Sequence, residues 1–251
     1  MNATDDDLYL IGAETSVACW GEYARTTPGG AVHRMAGADA AVFPNGPERE
    51  VFNNAIVARG LAPTARSAAL DAVAGTYAAA GVTSYAVWVH ESDLAMGEAL
   101  TDRGFGHQET TWAMGLDLDE LSAEPPAVDL GPDDWGEYLR ILELPPGLLT
   151  GADPAAFQVL VGRLDGAGAA TAMAYDHADD CGLYNIATLE PARRRGLGAG
   201  LVATHLQRAR ARGRLTATLQ STEMARGVYA SVGFRDLGRI LEYGPPPQKI
   251  A

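Results

Sequence analysis

The chain has 251 residues, 47% of them hydrophobic, and a formal net charge of −13 at pH 7; it can bury one large core or two ordinary ones. Its two cysteines, Cys19 and Cys181, are too few for a disulfide framework, and no apolar run reaches the roughly 18 residues of a membrane span. The start, MNATDDDLYL, is acidic where a secretory leader is basic and then apolar, so a cytoplasmic protein is expected.

Charge is unevenly placed. Residues 1–125 hold 18 Asp and Glu against 6 Arg, whereas 126–251 hold 14 against 12 Arg and 1 Lys. Eight basic residues fall between Arg193 and Arg226. The acidic first half argues against a nucleic-acid face, and a local anion site fits the cluster better.

In chain order, residues 5–13 fit either a strand or the start of a helix, and 15–25 fit a helix that stops before Pro28-Gly29-Gly30. Residues 36–42 and 51–58 read as strands around the turn-former Pro44-Asn45-Gly46-Pro47. Residues 64–80 predict a helix, with Leu70, Val73 and Tyr77 at helical spacing and Gly81 as the stop. A strand at 83–89, a short helix at 94–101 and a strand at 110–118 follow, and Glu124-Pro125-Pro126 reads as a linker. In the second half 132–142 is expected to be helical, with Asp133 and Asp134 set against the helix dipole. Residues 144–153, with Pro145-Pro146-Gly147, read as a loop, and 154–163 as a helix or a helix then a strand. Strands at 167–177 and 182–188, a helix at 198–212 with Leu201, Val202, His205 and Leu206 inward, a strand at 215–219, a helix at 222–231 and a strand at 239–243 complete the pattern.

The halves resemble each other. A shift of 129 residues lays Gly104-Phe105 on Gly233-Phe234, Leu100 on Tyr229, Met96 on Ala225 and His90 on Leu219, which suggests duplication of one α/β unit. The differences are chemical. Where the second half reads Arg193-Arg194-Arg195-Gly196-Leu197-Gly198, the first reads Thr64-Ala65-Arg66-Ser67-Ala68-Ala69. Glycine lets the backbone approach an anion closely, and the first amides of a helix lack intrahelical acceptors, so residues 193–200 suit a phosphate. The alternatives are a glycine-rich turn with solvated arginines or a dinucleotide fold, but the latter wants an acid about 20 residues on, where residues 218–220 offer none.

Arg193-x-x-Gly196-x-Gly198 after a strand ending at Thr188, with Tyr229-x-x-x-Gly233-Phe234 further on, resembles the GNAT superfamily of acyl-CoA-dependent N-acyltransferases. The likeness spans about residues 127–244. The first half resembles a degenerate copy, as in tandem-GNAT proteins, so residues 1–125 are expected to form a GNAT-like domain without a coenzyme loop and 126–251 a catalytic one. One departure is Glu190 where family members usually carry proline, which here comes next as Pro191. The resemblance implies an α/β fold of two tandem domains, each a twisted mixed β-sheet flanked by helices. It also implies acetyl-CoA as cosubstrate, no metal, and direct attack on the acetyl group by the primary amine of a small-molecule or peptide acceptor.

On that resemblance the pyrophosphate meets the amides of Leu197, Gly198, Ala199, Gly200 and Leu201, with charge from Arg193, Arg194 and Arg195. Ile186, Ala187 and Thr188 splay from the neighbouring strand and pair with the pantetheine arm; Thr188 alternatively caps the loop. Ser221 either contacts coenzyme or caps the next helix. Tyr229 is the implied general acid toward the departing thiolate, or else a filler between helix and sheet. For the base, Glu190 and Glu223 are the candidates, with Asp176 and His177 also near strand ends. His205 is expected to be a packed core histidine, and Arg208, Arg210, Arg212 and Arg214 a solvated surface set. Replacing Gly196 and Gly198 by valine is expected to abolish coenzyme binding while sparing the fold. A non-catalytic acyl-CoA-binding or sensing protein is the alternative function; membrane and nucleic-acid partners are not expected, and the protein is expected to be a monomer or homodimer.

Overall fold

The computed structural model describes residues 3–45, 53–121, 127–131, 134–144, 153 and 155–246. In chain order its elements are α1 (Asp5–Thr26), β1 (Ala31–Met35), β2 (Ala38–Val42), β3 (Asn54–Val57), α2 (Pro63–Ala79), β4 (Ala86–His90), α3 (Leu94–Asp102) and β5 (Gly106–Asp117). Then follow β6 (Asp129–Leu130), α4 (Trp135–Ile141), β7 (Phe157–Leu164), β8 (Ala167–His177), β9 (Asp180–Thr188), α5 (Leu197–Ala211), β10 (Thr216–Ser221), α6 (Glu223–Val232) and β11 (Arg235–Gly244).

The chain packs as two units, residues 1–16 with 112–237 and residues 17–111 with 238–251. In the former the strand order is β5-β10-β9-β8-β7-β6, antiparallel throughout except for the parallel pair β9 and β10. In the latter it is β1-β2-β3-β4-β11, with only β3 and β4 parallel. The fold is therefore α/β with mixed sheets flanked by helices. Each unit shows the same succession of antiparallel, antiparallel, parallel and antiparallel pairings, and each is closed by a strand from the other half of the sequence. β5 pairs with β10, and β11 with β4. The units thus interleave residues 1–125 and 126–251, while the 125/126 boundary itself lies outside the described residues.

Local chemistry explains the elements. α1 is one helix because Thr4 and Asp7 cap it reciprocally: the Asp7 amide donates to Thr4 Oγ1 at 3.1 Å and the Thr4 amide to Asp7 Oδ2 at 3.0 Å. This resolves residues 5–13 as helix. The strand expected from 36 instead begins with a two-residue turn, Ala36-Gly37, in which Gly37 has φ +83°; it joins β2 to β1, a strand that sequence patterning passed over. The helix weighed for 154–163 is the strand β7, whose Phe157, Val159, Leu160 and Val161 are all buried. The turns at Pro44-Asn45-Gly46-Pro47, Glu124-Pro125-Pro126 and Pro145-Pro146-Gly147 fall wholly or partly outside the described residues.

The 129-residue offset reappears in the helix ends. α3 stops at Gly104 (φ +83°) with the Phe105 amide on the Leu100 carbonyl, and α6 stops at Gly233 (φ +117°) with the Phe234 amide on the Tyr229 carbonyl, both at 3.1 Å. The helices after β3 and β9 do not start in register. α2 begins at Pro63 and α5 at Leu197, so the arginine-glycine loop occupies the place of α2's first turn. Leu201, Val202, His205 and Leu206 of α5 are fully buried, and each buried leucine contributes about 2 kcal/mol toward holding that helix on the sheet.

Candidate functional site

The site begins where two parallel strands part. β9 and β10 pair from Thr216↔Asp180 to Leu219↔Leu183 and no further, although β9 continues to Thr188 and β10 to Ser221. Beyond that point Gln220 and Ser221 pair with β5, opposite Ala113 and Trp112, while Ala187 and Thr188 pair with β8. The ladder between β9 and β10 thus ends before residues 185–188. A bulge lies at the fork: Thr171 faces Ala187 and Met173 faces Tyr184, so two residues of β9, Asn185 and Ile186, oppose Ala172 alone.

The chain then makes a short 3-10 turn over Glu190–Ala192 and passes through Arg194 (φ +63°) and Gly196 (φ +79°) into α5. No side chain caps α5, so its first amides face outward without protein acceptors. Arg193 bends back, its Nε donating to the Thr188 carbonyl at 3.2 Å, and Arg193, Arg194 and Arg195 are all exposed. The Thr188 hydroxyl does not cap the helix. A Cβ placed on Gly198 would meet only Thr188 Oγ1, at 3.6 Å, an ordinary contact. The protein leaves space there that a ligand can fill. The glycines therefore differ: Gly196 is demanded by its left-handed backbone, Gly198 is not. Valine at both positions would strain the fold as well as block the cradle, which corrects the expectation that the double change spares folding.

The corresponding place in the other unit is closed. Pro63 removes one amide from the start of α2, and the Asp93 carboxylate accepts from the Gly60 amide at 2.8 Å while capping α3 through Met96. Arg66 turns inward to the carbonyls of Ala95 and Leu61. A carboxylate stands where a phosphate would need donors.

Of the remaining candidates, Tyr229 is 5% exposed on α6, edge-on to Phe234 and packed with Met114, Leu116 and Leu219. Burial pushes its phenol up to about 12, so it stays protonated at neutral pH. Ser221 is buried at the end of β10 with its hydroxyl on the Thr222 carbonyl; Thr222, not Ser221, is the cap residue of α6. Glu190 and Glu223 are both exposed, one in the turn before the loop and one in the first turn of α6. Asp176 and His177 lie opposite Cys181 and Asp180, seven to eight residues from Thr188 along β9, a distance of about 25 Å that removes them from this end of the sheet. Burial raises the Asp176 carboxyl, but its two-pronged bond to Arg212, at 2.8 and 2.9 Å, outweighs that and holds it below the usual range. Arg214 reaches the Ala178 carbonyl and Arg210 the Leu121 carbonyl at 3.5 Å, while Arg208, Arg210 and Arg212 are exposed at the surface.

Sequence patterning missed Tyr138. It is fully buried on α4 and its hydroxyl accepts from Asn185 Nδ2 at 2.7 Å, across 47 residues of sequence. No local signal marks such a pair. Among the described residues, no group of three or more His, Cys, Asp or Glu is placed to hold a metal ion, and no helix is long and apolar enough to cross a membrane.

A mixed sheet with a parted parallel pair thus feeds an uncapped, glycine-lined helix start. Residues 119–234 match the model of the acetyltransferase (GNAT) family. Solved structures show the same fold over most of the chain. A GCN5-related N-acetyltransferase from Kribbella flavida is 18% identical, with TM-score 0.71, over 95% of this chain and 96% of its own. A GCN5-related N-acetyltransferase from Sphaerobacter thermophilus is 17% identical, with TM-score 0.57, over 85% and 79%. A tandem GNAT protein from the clavulanic acid biosynthesis pathway is 16% identical, with TM-score 0.57, over 89% and 86%. No curated protein sequence matches the chain.

Proposed function

We propose that the chain is an N-acetyltransferase that moves the acetyl group of acetyl-CoA to a primary amine by direct attack. The observation that carries this reading is the pairing of the fork between β9 and β10 with the uncapped start of α5. The amides of Leu197, Gly198 and Ala199 receive the pyrophosphate beside Gly200, whose own amide donates to the Gly196 carbonyl at 2.9 Å, Arg193, Arg194 and Arg195 add charge-assisted contacts, and the backbone of Ile186, Ala187 and Thr188 on the side away from β8 takes the pantetheine amides. Ser221 flanks the same fork.

In the chemical step an exposed carboxylate, Glu190 or Glu223, takes a proton from the ammonium acceptor directly or through water. The freed amine attacks the thioester carbonyl carbon, the nitrogen gives up its second proton to solvent as the C–S bond breaks, and the thiolate takes its proton from the Tyr229 hydroxyl. Tyr229 is then reprotonated from solvent. Burial pushes both Cys19 and Cys181 thiols up, so neither supplies a thiolate for an acyl-enzyme, which supports direct transfer. The closed helix start at Pro63 supports reading residues 1–125 as a degenerate copy beside a catalytic 126–251. We place the protein in the cytoplasm, as a monomer or homodimer acting on a small-molecule or peptide amine.

Calorimetric titration with acetyl-CoA, followed by a thiol-release assay across a panel of amines, tests the proposal. Micromolar binding with amine-dependent thiol release is expected. Binding without release would make the protein an acyl-CoA sensor, and no binding would refute the reading.

A further inference from the structure

The bulge in β9 is held from outside its own strand. Asn185, at its apex, has φ +53°, a left-handed conformation that few side chains tolerate and that asparagine tolerates better than most. Its side-chain amide donates to the Tyr138 hydroxyl at 2.7 Å, and that hydroxyl in turn donates to Met173 Sδ at 3.5 Å. Met173 lies on β8 at the edge of the bulge, paired with Tyr184. Tyr138 is fully buried on α4, with Trp135 edge-on to its ring at 5.3 Å between centroids. Across the strand, the carbonyl of Ala172, which faces the bulge, accepts from His205 Nε2 of α5 at 3.3 Å. The fork is thus gripped from α4 on one hand and α5 on the other. A buried hydroxyl that accepts and donates in this way fixes its partners in one arrangement, because any other leaves a polar group unpaired.

We infer that Tyr138 is a positioning residue: through the Asn185 amide it holds the β9 bulge in its left-handed form and so sets the line on which residues 186–188 leave β10. The inference rests on the reading that this strand carries the acyl coenzyme. On that reading Tyr138 touches no substrate, yet it decides where the backbone groups that pair with the pantetheine arm are aimed. A fold needs no bulge at this point, since the ladder between β8 and β9 is regular on either side of it.

The test uses the full chain with Tyr138→Phe, which keeps the ring and removes the hydroxyl. Amide hydrogen exchange is followed at residues 186–188, acetyl-CoA affinity by calorimetry, and folding by thermal melting. Exchange at those amides is expected to quicken about tenfold and acetyl-CoA to bind about tenfold more weakly, the effect of one hydrogen bond. Adding Asn185→Gly is expected to restore both, because glycine adopts φ +53° without a partner, while leaving the drop in melting temperature uncorrected. A merely structural tyrosine would show no such rescue. Wild-type exchange in Tyr138→Phe, or failure of glycine to restore it, overturns the inference. If exchange and rescue behave as expected but the wild-type chain binds no acetyl-CoA, the hold on the bulge stands and the coenzyme reading alone falls.

Discussion

Gly196 and Gly198 stand two residues apart and answer to different demands. Gly196 has φ +79°, so any side chain there is strained, and a β-branched one costs about 1–2 kcal/mol or more of stability. Gly198 has an ordinary backbone and open space beside it. Gly198→Val is therefore expected to keep the melting temperature within a few degrees while abolishing micromolar acetyl-CoA binding; retained binding would refute the phosphate cradle. Tyr229 carries a second residue-scale prediction. Tyr229→Phe is expected to lower kcat about 100-fold with coenzyme binding intact; full kcat would make Tyr229 the filler between helix and sheet that its burial also allows. Since burial pushes its phenol up to about 12, the protonated donor persists well past pH 10, and the alkaline fall in kcat is expected above pH 11. A fall centred near pH 10, the usual tyrosine value, would assign the limb to another group.

At the scale of elements, α5 joins the arginine-glycine loop to the core, and His205 gives that junction a pH dependence. Burial, opposed only in part by the bond to the Ala172 carbonyl, lowers His205 to about 4. The unfolded imidazole titrates near 6.5, so below that value the unfolded chain binds a proton that the folded one refuses. Stability from this residue is complete above pH 6.5 and is lost as pH falls toward 4, by about 3 kcal/mol in all. Asp180 works in the other direction. Burial raises its carboxyl despite hydroxyl bonds from Thr216 and Thr218 at 2.8 and 2.7 Å, so it favours the folded state more in acid. Comparing urea midpoints of wild type and His205→Leu at pH 7 and pH 4.5 isolates the histidine: the wild type is expected to lose more on acidification, and equal losses would contradict the assignment. The Arg212 and Asp176 pair, partly exposed and two-pronged, is expected to contribute about 1 kcal/mol at most, read as the loss of stability in Arg212→Ala.

At the scale of the molecule, each unit is completed by a strand from the other half of the sequence. Met114, Leu116 and Leu118 of the first half are buried in the same core as Tyr229, and Ile240 of the second half is buried on a strand paired with β4. A fragment of residues 126–251 alone is therefore expected to remain unfolded, lacking the strand beside β10, and coexpression with residues 1–125 is expected to restore a cooperative melt. A folded, coenzyme-binding 126–251 fragment would show the exchanged strand to be dispensable. Local chemistry alone predicts α2, α3, α5, α6 and the strand β8 to within a few residues, because their spacing, caps and stop glycines are written in neighbouring positions. It also marks the arginine-glycine loop, since what a phosphate requires, small residues and free amides at a helix start, is likewise local. The pairing of β5 with β10 and of β11 with β4 was decided only in three dimensions, as were the bulge at which β9 parts from β10, the Asp93 carboxylate that closes the first-half loop and the hold of Tyr138 on Asn185. Those features depend on residues tens to more than a hundred positions apart, and hydrogen-bond geometry between distant segments leaves no period or spacing in the chain to read.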